Sequence, residues 1–271
     1  MLFRSTGVRA NTLTGSLEIR ARFTIFATGA AYSILEKTQL LKHKPDFSRA
    51  ARTYYEGVEG LSDALEIHYD SVPLPGYGWV FPTSPTSANI GAGYYVPPNR
   101  PQIKNSPRQV LDEFIANPRL SQMLGNAHTT APVKGYPLRF DFPEAQLAFP
   151  GLGLVGEACG LVNPFTGEGI DYALESAEIA AEILIHAIRQ DESSNQTMNK
   201  YSKAFRDRFL QTYKSLIIIQ KLYSHPWLMN RYVSAAKHNE ELALLLLNVG
   251  FGNVNPLKAL SLKGFIQMAL G

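Results

Sequence analysis

At 271 residues, 45% apolar and 18% charged, with a formal net charge of +3, the chain can bury a substantial core in one or two domains. Its single cysteine, Cys159, excludes an intramolecular disulfide and offers no zinc or iron–sulfur framework, so no metal is expected and a cytoplasmic location fits. No run reaches the roughly 18 apolar residues of a membrane span, and the first residues lack the apolar centre of a secretory signal.

Residues 17–30 alternate and then become continuously apolar, ending Ala27-Thr28-Gly29-Ala30, the pattern of a buried strand feeding a tight turn. Leu65 to Asp70 alternates as a strand, with His68 on its polar face, where solvation is the expectation. Tyr77-Gly78-Trp79-Val80-Phe81-Pro82 follows. Its aromatics stand at i, i+2 and i+4, hence on one face of a strand, where they form a flat apolar wall. Plain core is the competing reading of such a stripe. A further strand runs from Ala88 to Val96, and Pro107 to Leu124 reads as helical, with Val110, Leu111, Phe114 and Ile115 on one side. Val133 to Leu138 then leads toward a short apolar strand, Leu152 to Val155.

After that strand, Gly160, Gly167 and Gly169 together with Pro164 fall within ten residues, a density that lets backbone N–H groups approach a flat ligand. A helix over Asp171 to Ile188 follows, carrying Ile170, Ala173, Leu174, Ala177, Ala180, Ala181, Leu184 and Ile188 at helical spacing, with small residues where it lies close to a sheet. Its N-terminus and free N–H groups favour phosphate or an anionic ring. An ordinary strand-loop-helix crossover is the alternative. The spacing Gly151-x-Gly153-x-x-Gly156 is not a dinucleotide fingerprint, because these glycines surround the strand instead of linking it to a helix.

The run from Gly156 to Ile170 resembles the second cofactor motif of para-hydroxybenzoate hydroxylase-like FAD proteins, and within them of the geranylgeranyl reductases: Gly-Asp-Ala-Ala-Gly, then Pro, then Gly-Glu-Gly-Ile. Glu157 stands where that family has Asp. The resemblance implies FAD as cofactor, with Gly156 and Glu157 at the ribose and Pro164, Gly167, Glu168 and Gly169 along the pyrimidine edge of the flavin. It places Thr28 and Gly29 on the adenosine side, and the Gly-x-Pro piece at 135–137 beside the flavin. The aromatic stripe is similar to the reductase signature Pro-x-x-Tyr-x-Trp-x-Phe-Pro, although Pro73 and Pro75 stand four and two residues before Tyr77. By that likeness Tyr77, Trp79 and Phe81 line a lipid cavity, and Tyr77 is a candidate proton donor.

The implied fold is α/β (α+β): a partial FAD-binding domain of this type, an antiparallel substrate-domain sheet and a C-terminal helical region. The implied boundaries are 1–46 and 147–192 for the FAD-binding parts, 47–146 for the substrate sheet with its helix, and 193–271 for the helices. A complete family member carries a glycine-rich nucleotide loop near its N-terminus, so an N-terminally truncated chain, with weak or absent FAD binding by itself, is the expectation. The implied activity is hydride transfer from reduced FAD to isolated double bonds of prenyl chains on a lipid or pigment precursor, with NADPH and ferredoxin as alternative electron donors. Two rivals remain: a related flavin monooxygenase or halogenase, and a non-catalytic lipid-binding fragment or subunit. Halogenases carry Trp at the position of Tyr77 and Ile at that of Phe81.

From Asn195 onward, ten Lys/Arg face three Asp/Glu beside apolar residues including Phe209, Tyr213, Leu216, Tyr223, Trp227, Phe265, Ile266 and Met268. Peripheral contact with an anionic membrane and a packed helical domain with a solvated basic face both fit this pattern. Nucleic-acid binding does not, because the basic residues are spread through helices.

Overall fold

The computed structural model describes residues 4–41, 45, 47–95, 105–250, 254 and 256. In chain order the strands are β1 (Gly7–Thr12), β2 (Gly15–Arg20), β3 (Thr24–Phe26), β4 (Phe47–Glu56), β5 (Glu66–His68), β6 (Gly76–Ser84), β7 (Ser87–Tyr95), β8 (His128–Thr129), β9 (Lys134–Arg139), β10 (Ala148–Phe149) and β11 (Leu152–Leu154). The helices are α1 (Ser33–Lys37), α2 (Pro107–Ile115), α3 (Pro118–Met123), α4 (Ile170–Arg189), α5 (Ser194–Tyr223), α6 (Pro226–Ala236) and α7 (Glu240–Gly250), with a 3-10 turn at Gly156–Cys159. Val96, Phe265, Ile266 and Met268 lie outside the described residues.

The chain divides into two compact units: Met1–Asp46, Arg139–Ile219 and Val233–Gly271 form the first, and Phe47–Leu138 and Gln220–Tyr232 the second. In the first unit, β3 and β11 pair in parallel, Phe26 opposite Leu154, and β10 adds antiparallel to β11. The buried face of α5 repeats aromatics every four residues, Tyr201, Phe205, Phe209 and Tyr213, with none exposed. Tyr201 stacks on Phe205 at 4.4 Å and donates its hydroxyl to the Leu154 carbonyl at 2.6 Å, pinning the helix to β11. Phe209, Tyr213, Leu216 and Tyr223 are therefore core residues, as a packed helical domain requires; Trp227 remains exposed. No helix among the described residues is long and apolar enough to cross a membrane.

The continuous strand expected over 17–30 is instead two strands in two sheets. The Ala21 N–H closes the β1–β2 hairpin on the Thr6 carbonyl, and the Thr24 N–H then pairs with the Gly151 carbonyl, so the chain changes sheet at 21–23.

The second unit is built on a sheet ordered β5-β6-β7-β4-β8, with β9 also pairing with β4. Helix α2 covers one face, burying Val110, Leu111 and Phe114 against Val80, Ala88, Ile90 and Ala92. Ser106 and Gln109 close a capping box at its start. The helix expected over Pro107–Leu124 breaks in two because Pro118 lacks an N–H; Asn117 caps the second piece by accepting from the Arg119 N–H at 3.0 Å.

Both units bury phenols, and burial raises the pKa of Tyr77, Tyr172 and Tyr232 to about 12 and that of Tyr201, Tyr213 and Tyr223 further. In the unfolded chain these groups ionise near pH 10. Stability is therefore fully present below pH 10 and lost as pH rises toward and past 12, because only the unfolded phenols release protons in that window. Denaturant melts from pH 8 to 12, with tyrosinate absorbance followed in parallel, check this: the two should change together above pH 10.

Candidate functional site

The parallel pairing of β3 with β11 brings residues about 130 positions apart in sequence to one end of a sheet. Thr28 and Gly29 follow β3, and Gly156 and Glu157 follow β11, so all four lie beyond the carboxyl ends of adjacent parallel strands, where α/β sheets accept ligands. Gly29 has φ +53 and open space where a Cβ would stand, and the Thr28 hydroxyl is buried without a hydrogen-bond partner. Such an orphaned hydroxyl beside open backbone fits a polar ligand group.

The Glu157 carboxyl accepts the Arg139 N–H through Oε1 at 3.1 Å, and its second oxygen accepts no hydrogen bond among the described residues. Burial raises its pKa, with the Arg139 N–H and guanidinium pulling the other way. Behind the turn, the Arg139 guanidinium and Asp141 form a buried ion pair, each side chain 3% exposed. Arg139 also donates through Nη1 to the Ala158 carbonyl at 2.6 Å and through Nη2 to Asp141 Oδ2 at 3.1 Å. Sequence reading missed this pair because nothing in the local pattern at 139–141 marks its side chains as inward-facing.

Several glycines serve packing more than ligand approach. A Cβ on Gly156 would stand 2.9 Å from the Ala173 Cβ, and one on Gly160 2.8 Å from Asp141 Oδ1; both residues have positive φ. The Gly156 N–H donates to Ser176 Oγ at 2.9 Å, locking the turn onto α4. Cys159 is fully buried, donates to the Gly156 carbonyl, and burial pushes its thiol up to about 12. A neutral, enclosed thiol is a poor nucleophile. Thiol reagents are accordingly expected to leave Cys159 unmodified in the folded protein and to modify it fully in denaturant.

The loop 163–169 satisfies the N–H groups of Asn163 and of 165–168 internally, which corrects the expectation of free N–H groups at those positions. Asn163 Oδ1 accepts from the Phe165 and Thr166 N–H groups at 2.9 and 3.2 Å, and the Asn163 carbonyl accepts from Gly167 at 2.8 Å. Glu168 Oε1 accepts from Ile170 and Asp171, so its carboxylate already occupies the α4 N-terminus. Asn163 Nδ2 reaches the Gly250 carbonyl at 3.2 Å, bracing the loop that contains Pro164, Gly167 and Gly169 against the end of α7. Asn163 is thus the hub of a loop in which sequence reading picked out Pro164, Glu168 and the glycines but not Asn163.

In the second unit, Tyr77, Trp79 and Phe81 stand on one face of β6 with ring centroids 5.9 and 6.1 Å apart, as the i, i+2, i+4 spacing requires. This face is the one opposite α2. The Trp79 indole lies over Gly91, its register partner on β7, where a Cβ would come within 2.1 Å of Cζ2; its Nε1 donates to Asn89 Oδ1 at 2.8 Å. Gly91 and Gly93 make a flat floor beneath the aromatic wall. Ile67 is the register partner of Trp79 on β5, so Ile67 and Tyr69 extend the same face.

Strand β5 consequently has the opposite polarity from that expected. His68 turns toward α2, 11% exposed, its Nε2 3.1 Å from Glu66 Oε2 and its ring edge-on to Phe114 at 5.5 Å, while Ile67 and Tyr69 are exposed. His68 is packed, not solvated. Burial raises the Tyr77 pKa to about 12, with Tyr69 adding to the shift. Tyr69 acts in the same way on Tyr223 and Tyr232, whose rings meet edge-on at 5.5 Å.

No family model matches the chain. Digeranylgeranylglycerophospholipid reductase 1 of Methanopyrus kandleri is 31% identical over 214 residues, 78% of this chain and 56% of its own length. The digeranylgeranylglycerophospholipid reductase of Thermoplasma volcanium is 31% identical over 201 residues, 71% of this chain and 48% of its own. Over most of its length the chain is similar to the geranylgeranyl reductase family. It spans about half the length of the curated relatives it matches. A solved geranylgeranyl bacteriochlorophyll reductase-like protein of Thermoplasma acidophilum superposes with a TM-score of 0.71 at 25% identity, covering 82% of this chain and 55% of that one. A flavin-dependent brominase superposes with a TM-score of 0.65 at 16% identity, over 91% of this chain and 61% of its own, a likeness of fold. The α/β fold with an antiparallel sheet, of the para-hydroxybenzoate hydroxylase-like type, is thus the one expected.

Proposed function

We propose that this chain holds FAD and a prenyl chain in a reductase that saturates isolated double bonds of a prenylated lipid or pigment precursor. The carrying observation is the second face of the sheet in the second unit: apolar and aromatic, floored by glycine, and partly open although α2 already supplies the core on the other side. A sheet apolar on both faces is suited to receive an apolar guest on the face that is left partly open. Tyr77, Trp79 and Phe81 grip the hydrocarbon through dispersion and exclude water.

In the first unit, Thr28 Oγ1 and the unoccupied lone pairs of Glu157 meet the polar adenosine and ribose side of FAD, and Gly29 lets it approach. Gly156 sets the turn that presents Glu157. Pro164, Gly167, Glu168 and Gly169 shape the edge that faces the flavin, held by Asn163. When bound and reduced, FAD supplies a hydride equivalent. Tyr77 retains its proton far above neutral pH and, next to Tyr69, is the side chain that donates to the adjoining alkene carbon. Exposed Trp227 supports peripheral contact with a membrane, where such a lipid resides.

The test supplies the chain together with the part of the Methanopyrus kandleri relative that it does not match, FAD, dithionite and digeranylgeranyl glycerophospholipid without oxygen. Mass spectrometry should show two hydrogens gained per reduced bond. Products that require oxygen, hydroxylated or halogenated, would contradict the reading; dithionite makes the result independent of whether NADPH or ferredoxin is the natural donor.

A further inference from the structure

Residues in register across a sheet share a face, and the face of the second unit opposite α2 is laid out in rows. Phe81 pairs with Asn89 and Asn89 with Tyr54, Trp79 with Gly91 and Gly91 with Arg52, Tyr77 with Gly93 and Gly93 with Ala50. On β4 the neighbours in sequence turn the other way, where Ala51 and Tyr55 join the core under α2. The row of Trp79 therefore ends in a guanidinium, two strand spacings or about 10 Å across the sheet, beyond the glycine floor.

Among the described arginines of this unit, Arg52 is the one that is half-buried; Arg49, Arg108, Arg119 and Arg231 are exposed. Arg108 and Arg119 nevertheless hold carboxylates, Asp112 and Glu66, each at 3.0 Å. Arg52 meets no carboxylate within ion-pair distance and donates no hydrogen bond among the described residues. Its neighbour is the ring of Tyr54, with Cζ 4.8 Å from the centroid. Glu56, the next acidic side chain on this face of β4, is exposed and stands 4.0 Å from His128. Partial burial of a cation costs free energy that a counterion restores. A guanidinium laid over an aromatic ring keeps its in-plane N–H donors for a bidentate acceptor, and phosphate fits that fork.

We propose that Arg52, steadied by Tyr54, binds the phosphate of a phosphorylated prenyl substrate whose hydrocarbon lies on the glycine floor and the aromatic wall. Resting on the reading of this face as the prenyl site, the assignment makes Arg52 a specificity-determining residue, one that favours a chain with an anionic head over the same chain ending in an alcohol. It also gives the chain a direction: head at β4, hydrocarbon toward Trp79 on β6 and Ile67 on β5.

The test titrates the 271-residue chain, without FAD, with geranylgeranyl phosphate, geranylgeraniol, inorganic phosphate and ADP by calorimetry, the lipids below their micelle concentrations. Geranylgeranyl phosphate is expected to bind about tenfold or more tightly than geranylgeraniol, with an advantage that shrinks as salt is added. Arg52→Gln should bring the phosphorylated lipid down to the affinity of the alcohol without lowering the melting temperature. Arg52→Lys, which keeps the charge but lacks the fork, should lie between. Equal affinity for the two lipids would overturn the proposal, as would a phosphate advantage that survives Arg52→Gln, or a variant that weakens both lipids alike. Inorganic phosphate or ADP bound as tightly, with the same dependence on Arg52, would assign the guanidinium to a free anion or to the cofactor and overturn it too. Failure of both lipids to bind would overturn this assignment and the prenyl face together. Binding of both without preference, yet weakened by Trp79→Ala, would remove Arg52 from the site and leave the prenyl face standing.

Discussion

Replacing Arg139 with methionine is expected to destabilise the first unit by about 3–5 kcal/mol, since the substitution takes the guanidinium away from a buried carboxylate. Asp141 is 3% exposed, and its two oxygens face the guanidinium that would be removed. The Ala158 carbonyl would lose its donor in the same step, loosening the 3-10 turn that carries Glu157. Replacing both ends, Arg139→Met with Asp141→Leu, should cost clearly less, because both charges are then removed together. Urea denaturation of the two variants separates these outcomes. A single substitution costing under about 1 kcal/mol would show that water reaches the pair and that it does not organise the turn.

A methyl group at Gly91 is expected to reduce affinity for a prenyl lipid tenfold or more. The added Cβ would lie 2.1 Å from Trp79 Cζ2 and 2.5 Å from Cε2, so the indole must leave its seat and give up its hydrogen bond to Asn89. Overpacking of this kind costs about 1–3 kcal/mol. The α2 side of the sheet, with Val80, Ile90 and Phe114, does not share the clash, so the unit should still fold. Tryptophan fluorescence should report the displaced indole, with Trp227 as a constant background, and lipid titration should report the lost affinity. Unchanged emission and unchanged binding in Gly91→Ala would mean that the glycine floor does not hold the wall.

What could be read before the structure followed from local periodicity. The stripe Tyr77, Trp79, Phe81 had to share one strand face, and it does; the helix after Gly169 and the strand before Gly156 are where their patterns place them. Polarity alone misplaced His68, because Glu66 satisfies the imidazole in a partly buried setting and Phe114 covers it, which no count of polar residues on a strand conveys. The loop 163–169 misled for a related reason. Glycine density marks where backbone can be approached, whereas the side chains of Asn163 and Glu168 decide whether its N–H groups are free. The buried pair Arg139–Asp141 and the pairing of Phe26 with Leu154 across about 130 residues depend on tertiary register, which lies beyond any window of sequence. The double apolar face of α4 was visible as composition, and only coordinates could show that Tyr172, Ala180 and Ala187 are covered while Ile170 and Leu174 are exposed, which corrects its reading as a single sheet-facing stripe.

The seat of the prenyl chain is tested most directly by photolabelling with a digeranylgeranyl glycerophospholipid that carries a diazirine along its hydrocarbon, followed by peptide mapping. Covalent adducts are expected on β6 at Tyr77, Trp79 or Phe81 and on the facing residues of β7 and β4, and Trp79→Ala should reduce them several-fold. Adducts confined to other elements, or labelling of β6 that Trp79→Ala leaves unchanged, would contradict the assignment of this face to the lipid.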